Sequence, residues 1–297
     1  MSVSVAMLLG SHVSAAGGLA NAFVNAAEIG NDAIQIFAKS PRMLRFKPLE
    51  DDVVAAWHAA RKTSAVKHML VHANYLVNLA TPKSEYAKAS REAFLDEMER
   101  CHKLSIPLLV FHPGAHQGDG DEKGLSRIVE NLNWCLKKGE AFDDVTLCVE
   151  NTAGQGSNVG YRFEHVKAIV EGVDDPDRMG VCIDTCHTFA SGYDLRTPES
   201  YAKTMEELDA AVGLSRVKAF HLNDSKSTFA SRVDRHENIG KGEIGKKTFS
   251  LLVNDKRFAK VPGVVETPCE TNAQFKKDVD ALRALVGKTP KTQLGDF

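Results

Sequence analysis

The 297-residue sequence lacks an excess of charge of either sign, since 37 Lys and Arg stand against 39 Asp and Glu, a formal net charge of −2. This balance excludes a polybasic nucleic-acid-binding tail and an acidic disordered chain. It also lacks an apolar run of about 18 to 20 residues, the length that crosses a bilayer. No Lys or Arg precedes the short apolar run of the N-terminal MSVSVAMLLG. We therefore expect a cytoplasmic protein without a signal peptide and without a membrane partner.

The sequence has no CxxC pair among its six cysteines, and four of them lie inside apolar segments such as TLCVE and VCID. Buried reduced thiols are therefore favoured over a disulfide framework and over a thiolate zinc site. A glycine-rich phosphate loop after the first apolar run is missing as well, which disfavours a doubly wound dinucleotide-binding sheet.

What the sequence does contain is an alternation of short apolar runs with segments of helical spacing, repeated eight times. The apolar runs lie at 5–12, 33–37, 69–72, 107–112, 145–150, 180–184, 216–221 and 261–266. Continuous runs of this length are typical of strands buried on both faces of a parallel sheet. The pattern predicts an α/β fold, a (β/α)8 TIM barrel. We expect a single domain over 1–297, with the barrel at about 5–287 and a short C-terminal tail at 288–297.

Six consecutive predicted strands end in a side chain that can bind a metal. In strand order these residues are His72, His112, Glu150, Asp184, His221 and Glu266. The carboxyl ends of barrel strands meet at one face, so six such groups without a local Lys or Arg predict divalent cations between them. Nitrogen and oxygen ligands without sulfur suit zinc or manganese.

Three further residues extend this candidate ligand set. His187 follows Asp184 by three residues, so one turn after the strand brings both over the barrel mouth. Asp234 and His236 are two residues apart and point the same way in an extended loop. Nine ligands with one bridging carboxylate can serve three metals and leave positions for water and substrate.

These residues lie in stretches that closely resemble the endonuclease IV family of apurinic/apyrimidinic-site nucleases. The resemblance covers residues 7–285 and is strongest in SHVSAAGGLANA at 11–22, FHPGAH at 111–116, VENTAGQGSNVG at 149–160, GVCIDTCH at 180–187 and HLNDSKSTFASRVDRHENIGKGEIG at 221–245. It implies a (β/α)8 barrel that holds three Zn²⁺, with Mn²⁺ as a substitute at some sites.

The resemblance also implies how the ligands are shared. The first zinc is assigned to His72, His112 and Glu150, the second to Glu150, Asp184, His221 and Glu266, and the third to His187, Asp234 and His236. Glu150 and Glu266 are the implied catalytic carboxylates, acting with a zinc-bound hydroxide. His12, Asn151 and Asn223 lie at or just past strand ends and are expected to orient the ligands.

The implied activity is hydrolysis of the phosphodiester 5′ to an abasic site in duplex DNA, as in base excision repair. The products are a 3′-hydroxyl and a 5′-deoxyribose phosphate, and cleaning of blocked 3′ ends is expected too. Metals about 3.5 to 4 Å apart can supply the hydroxide and neutralise the charge that develops. The partner is then double-stranded DNA with abasic sites or blocked 3′ ends, bound by a monomer.

Residues that contact DNA follow from the same resemblance. An abasic nucleotide unstacks cheaply, so an enzyme can flip it out and fill the gap with side chains. The positions that match the family's inserted residues are Arg42, Tyr75 and Leu76. Related sequences often carry Gln-Trp after the arginine, where this chain has Met43 and Leu44. Phosphate contacts are expected from basic residues on the rim loops, namely Lys39, Lys226, Arg232 and Arg235.

Two other functions compete with this interpretation. A TIM-barrel metal-dependent sugar isomerase or epimerase also uses Glu, Asp and His at strand ends, but it holds only one or two divalent metals. The third ligand set disfavours it. A non-catalytic zinc-binding or DNA-binding module has no open coordination position and no turnover.

Overall fold

The computed structural model describes residues 7–44 and 47–288. Residues 5 and 6 of the first predicted strand and residues 289–297 of the predicted tail lie outside the described residues. Eight parallel strands form a closed barrel, which confirms the predicted fold class. The barrel strands are β1 (Leu8–His12), β2 (Ala33–Ile36), β3 (His68–His72), β4 (Leu108–Phe111), β5 (Thr146–Glu150), β6 (Met179–Asp184), β7 (Val217–His221) and β10 (Pro262–Val265).

The barrel closes between the first strand and the last one. Leu8 pairs with Pro262 and Ser11 pairs with Val265, so β1 and β10 form a parallel seam. The interior of the barrel is filled by side chains from alternate strand positions, which are Ala33, Leu70, Leu108, Val110, Cys148, Cys182, Ala219 and Val264. The barrel is therefore a packed core.

Helices cover the outside of the barrel. They are α1 (Asn21–Ile29), α2 (Asp51–Thr63), α3 (Ser84–Lys103), α4 (Asp121–Lys138), α5 (Phe163–Gly172), α6 (Thr185–Ser191), α7 (Pro198–Val212), α8 (Lys246–Val253) and α9 (Asn272–Arg283). Two of them begin with a capping box, in which the Thr197 and Thr271 hydroxyls accept from the backbone of Ser200 and Gln274. Such a box satisfies amide groups that a helix start leaves unpaired.

The structure adds detail at the mouth that the predicted strand pattern does not contain. β4 ends at Phe111 and β10 at Val265, so His112 and Glu266 each lie one residue beyond the strand. The short helix α6 starts directly after Asp184, whose side chain accepts from the His187 amide as its N-cap. A two-stranded ribbon, β8 (Asp224–Ser225) with β9 (His236–Glu237), folds the segment after β7 back over the mouth.

The six cysteines are free, and all but Cys269 are buried. This agrees with the prediction of buried thiols. Within the described residues, no helix is both long and apolar enough to cross a membrane.

Candidate metal centre

The predicted ligands converge on one carboxylate, Glu150, which ends β5 and is fully buried. Its Oε2 lies 3.1 Å from His72 Nε2 and 3.2 Å from His112 Nε2. Its Oε1 lies 2.8 Å from His221 Nδ1 and 3.3 Å from His187 Nδ1. The two oxygens therefore face different imidazoles, as a carboxylate shared between two cations would.

The structure groups the nine predicted ligands into three sets, each with ligand atoms within 4.8 Å of one another. The sets are His72, His112 and Glu150; Glu150, Asp184, His221 and Glu266; and His187, Asp234 and His236. They are the sets that the family resemblance implies. Metal binding by them remains a prediction.

The third set is assembled by the helix α6 and by the segment that precedes β9. His187 Nε2 lies 3.1 Å from Asp234 Oδ2, and His236 Nε2 lies 3.4 Å from Asp234 Oδ1. His236 Nε2 is also 3.5 Å from Asp184 Oδ2, so the second and third sets adjoin. The folded ribbon thus brings two distant parts of the chain to one place.

The pKa values of the cluster's side chains indicate whether cations fit among them. Burial raises the pKa of Glu150, but His221 and His112 outweigh it and hold that pKa well below its usual range. Burial lowers the pKa of His187, yet Asp184 and Asp234 raise it well above its usual range. In the described cluster, carboxylates and imidazoles thus stabilise each other's charged forms. A divalent cation bound there would displace the imidazole protons, because metal ligands must be deprotonated.

Two orphaned nitrogens point to the same conclusion. His187 Nε2 and His236 Nε2 are buried and, among the described residues, have no partner in hydrogen-bond geometry. Both face the Asp234 carboxylate. A buried imidazole nitrogen directed at carboxylate oxygens is a ligand arrangement for zinc, so the donor set fits the predicted metal.

Backbone oxygens orient three of these histidines. His72 Nδ1 lies 2.7 Å from the Ala73 oxygen, and His187 Nδ1 lies 2.9 Å from the Asn151 oxygen. A carbonyl oxygen only accepts, so each Nδ1 carries the proton and each Nε2 keeps its lone pair for the cluster. His236 is held in the same way, with Nδ1 at 3.2 Å from the backbone oxygen of residue 266.

The residues expected to orient ligands lie behind them. Asn223 Nδ2 donates to Asp184 Oδ2 at 2.6 Å, and its Oδ1 accepts from the Glu266 amide at 2.7 Å. Asn151 Oδ1 accepts from the Asp184 amide. His12 Nδ1 lies 3.7 Å from Glu266 Oε1.

Sequence reasoning missed two neighbours of the cluster. Gln35, in the middle of β2, contacts His221 and Glu266. A polar residue inside the apolar run AIQIF was the available signal. Cys186 Sγ lies close to Asp184 and His236. Burial raises the pKa of this thiol to about 12, which disfavours a thiolate ligand.

Six of the seven predicted DNA-contacting residues are exposed or half-buried on loops that follow barrel strands. Tyr75 is 57% exposed, Leu76 is half-buried, and Arg42 is exposed. Lys226, Arg232 and Arg235 are exposed on the loop between β8 and β9, and the Arg232 guanidinium stacks on the Tyr161 ring at 4.4 Å. Their contact with DNA remains a prediction.

The predicted phosphate contact of Lys39 is contradicted, because its ammonium pairs with two buried carboxylates of α3. The side chain is 6% exposed, with Nζ 2.9 Å from Asp96 Oδ2 and 3.4 Å from Glu97 Oε1. It also donates to the Ala93 oxygen. A phosphate contact would have to break these buried pairs. Lys39 instead ties the loop after β2 to α3, and Asn74 Nδ2 holds the same loop by donating to the Ser40 and Met43 oxygens.

A parallel barrel with functional side chains at the carboxyl ends of its strands defines the class of TIM-barrel enzymes, and the comparisons show the same barrel fold. A family model described as a xylose isomerase-like TIM barrel matches residues 23–285. A probable endonuclease 4 of Chloroflexus aggregans is 47% identical over 278 residues, which are 93% of this chain and 97% of that protein.

The chain belongs to the endonuclease IV family. The crystal structure of endonuclease IV from Thermus thermophilus matches with a TM-score of 0.83 and 34% identity, over 94% of this chain and 98% of that one. The family predicted from the motifs is therefore confirmed, and with it the class of enzyme, an endonuclease.

A D-tagatose 3-epimerase-like protein also matches, with a TM-score of 0.73 and 19% identity over 94% of this chain and 97% of that one. This likeness shows a shared fold alone. It adds no support to the alternative of a sugar epimerase.

Proposed function

We propose that this chain is a zinc-dependent endonuclease that hydrolyses the phosphodiester 5′ to abasic sites in duplex DNA, leaving a 3′-hydroxyl and a 5′-deoxyribose phosphate. The observation that carries the proposal is the grouping of nine side chains into three sets joined through Glu150 and Asp184. One or two metals, as in a sugar isomerase, would leave His187, Asp234 and His236 without a role.

The chain's own residues hold and orient the centre. His72, His112 and Glu150 would hold one cation, and the sets completed by Glu266 and by Asp234 would hold two more. Bound divalent metal supplies an activated water, neutralises the phosphoryl oxygens and stabilises the leaving oxygen. Since Glu150 is fully buried between imidazoles, it fixes the spacing of two sets.

Glu266 has a second task at the edge of the cluster. Its side chain is 19% exposed, whereas that of Glu150 is fully buried, so it lies where the centre opens to the mouth. A carboxylate at this place can accept a proton from an attacking water while staying near His221. We therefore infer that Glu266 is a catalytic carboxylate as well as a ligand.

Damage recognition belongs to the loops that follow β2 and β3. Arg42 and Tyr75 are exposed beside the mouth, and Leu76 lies next to them. An abasic site leaves a gap in the base stack, which an aromatic ring and an aliphatic side chain can fill. The exposed Lys226, Arg232 and Arg235, on the loop between β8 and β9, would neutralise phosphates of the DNA backbone.

We also propose that the enzyme acts as a monomer in the cytoplasm and that it removes blocking groups from 3′ ends. The same centre would cleave both substrates, because each presents a phosphodiester next to a missing or altered nucleotide. The single domain is proposed to extend over residues 1–297.

The test combines metal analysis with incision of a duplex that contains one abasic site. We expect about three zinc ions per chain and a cut 5′ to the site. Glu150→Gln and Glu266→Gln should lose incision, whereas the exposed control Glu270→Gln should keep it. One or two metals per chain with isomerisation of a free sugar would overturn the proposal.

A further inference from the structure

A buried glutamine contacts three side chains at the candidate metal centre, two of which are candidate ligands. Gln35 is fully buried in β2. Its Nε2 donates to Glu266 Oε1 at 2.6 Å and lies 3.1 Å from His12 Nδ1. Its Oε1 lies 2.8 Å from His221 Nε2. One amide therefore joins residues of β1 and β7 to the residue that follows β10.

The partners fix which way the amide points. A carboxylate only accepts hydrogen bonds, so the Gln35 atom that faces Glu266 is the amide nitrogen. Its second hydrogen is directed to His12 Nδ1, which therefore accepts. The carbonyl oxygen is left facing His221, and because this oxygen also only accepts, His221 Nε2 carries the proton.

This proton sets the chemistry of the other His221 nitrogen. In a neutral imidazole with a proton on Nε2, Nδ1 holds the free lone pair. His221 Nδ1 is the atom that faces the cluster, 2.8 Å from Glu150 Oε1 and 3.2 Å from Glu266 Oε2. The opposite tautomer would direct a hydrogen atom into the centre and could not bind a cation there.

The ring nitrogen of His221 that points away from the cluster contacts a side-chain oxygen, whereas in three other cluster histidines this nitrogen contacts a backbone oxygen. His72, His187 and His236 are held at Nδ1 by backbone oxygens, and substitution of a side chain leaves those oxygens in place. The oxygen that faces His221 Nε2 belongs to a side chain, so a substitution of Gln35 removes it. This makes the role of Gln35 testable.

We propose that Gln35 is a positioning residue for the set of Glu150, Asp184, His221 and Glu266: it selects the His221 tautomer that offers Nδ1 to a cation, and it holds the Glu266 carboxylate beside that nitrogen. The inference rests on the proposed function, in that this set binds zinc. Groups that orient metal ligands in this way typically change metal affinity about 10- to 100-fold when they are removed.

The variants are Gln35→Met, which keeps the side-chain length, and Gln35→Leu, both in the full-length zinc-loaded protein. Zinc content is measured by elemental analysis, and Zn²⁺ affinity by competition with a chelator of known affinity. We expect one zinc per chain to bind about 10- to 100-fold more weakly in both variants, with the other zinc ions retained.

Asn31→Ala is the matched control. Asn31 is a buried amide just before β2, at the opposite end of the strand, and donates to Ser11 Oγ at 2.9 Å. Its loss removes a buried hydrogen bond without touching the centre, so stability should fall while zinc affinity stays at the wild-type value.

A measurement on the wild type keeps the proposal falsifiable if the Gln35 variants do not fold. Two-bond ¹H–¹⁵N correlation spectra of ¹⁵N-histidine-labelled, zinc-loaded protein report which ring nitrogen of His221 is protonated. We expect a protonated Nε2, and a protonated Nδ1 overturns the proposal. Equal zinc affinity in Gln35→Met and Asn31→Ala also overturns it, whereas a wild type without zinc overturns the proposed function instead.

Discussion

Glu150 is the residue on which the geometry of the mouth depends most. Its oxygens lie within 3.3 Å of nitrogens from four histidines, which come from β3, β7, α6 and the residue after β4. A buried carboxylate is costly unless cations surround it. Replacing this one side chain therefore disturbs two ligand sets together.

Tyr75 offers a residue-level test of damage recognition. Because the ring is 57% exposed, Tyr75→Ala should leave the thermal midpoint of unfolding unchanged. Stacking on a nucleic-acid base contributes about 1 to 3 kcal/mol, so kcat/KM for abasic-site incision should fall about 5- to 150-fold. Val24→Ala is the control, since Val24 is 59% exposed on α1. An unchanged kcat/KM would remove Tyr75 from the recognition surface.

His165 gives a pH-dependent contribution to stability. It is 6% exposed on α5, and burial lowers the pKa of its imidazole below 6.5 despite the opposing effect of Asp121. As the pH falls, His165 is therefore protonated in the unfolded chain before it is protonated in the folded protein. The stability from neutral His165 is present above pH 6.5 and is lost as the pH falls through the lowered pKa.

The charged groups near this imidazole act in both directions on its pKa. Arg162 and Arg232 lower it, and Glu164 raises it. His165→Gln removes the titration but keeps a side chain that can accept from the Gly160 amide. Between about pH 7.5 and 5.5, the free energy of unfolding should fall more steeply in the wild type than in this variant, by at most about 1.4 kcal/mol per pH unit. Parallel profiles at equal zinc content would contradict it.

The sequence predicts some site residues well and others poorly, for physical reasons. Glu150 and Asp184 end apolar runs, and strand ends meet at one face of a barrel. Gln35 was missed because a single polar residue in a short apolar run does not reveal which buried partner it contacts. Lys39 was misassigned because a basic residue after a strand can turn toward solvent or, as here, toward α3.

At the scale of elements, the loops after β2 and β3 both contact charged side chains of α3. Arg100 Nε donates to Asp96 Oδ2 at 2.8 Å, and Lys39 contacts Asp96 and Glu97 in the same buried cluster. The Glu97 Oε1 oxygen also accepts from the Asn74 amide at 3.2 Å. Two loops proposed to recognise DNA damage thus share one ionic anchor on the helix between β3 and β4.

Breaking this anchor should cost stability. Lys39→Met leaves the buried carboxylates of Asp96 and Glu97 without one of their cations, so the free energy of unfolding should fall by about 3 to 5 kcal/mol. The control is Lys67→Met, because the Lys67 pair with Asp32 is formed by a side chain that is 62% exposed. That exposed pair should contribute at most about 1 kcal/mol. Equal losses in denaturant unfolding would show that the cluster is not an anchor.

Element boundaries show what periodicity can and cannot predict. The eight strands were predicted because parallel barrel strands are apolar on both faces. The helix α6 was not predicted as an element, since its seven residues are too few for a helical period to be visible. The β8–β9 ribbon depends on Asp224, whose side chain accepts from the amides of Gly240, Gly242 and Ile244. Such long-range contacts leave no periodic signal.

At the scale of the whole molecule, the proposed zinc ions would join strands from most of the barrel. Ligands come from β3, β5, β6 and β7 and from the residues after β4 and β10. Three Zn²⁺ with one hydroxide would also change the formal charge from −2 to about +3, concentrated at the mouth. A near-neutral chain can then present a positive surface to a phosphate backbone.

Removal of zinc tests this cross-linking. Ligands that bind only the folded state stabilise it, by about 2.7 kcal/mol at a concentration one hundred times the dissociation constant. Stripping the metal with a chelator should therefore lower the thermal midpoint by at least about 5 °C, as followed by calorimetry. Added Zn²⁺ should restore it. A midpoint that does not respond to either step would contradict a structural contribution from the metals.

The seam between β1 and β10 has a consequence for how the protein is made. Ser11 pairs with Val265, and Glu266 follows directly. A growing chain on the ribosome therefore has neither a closed barrel nor its last carboxylate until the final strand has been synthesised. Products that end before residue 262 lack that strand and Glu266, so they would be released with an incomplete candidate centre.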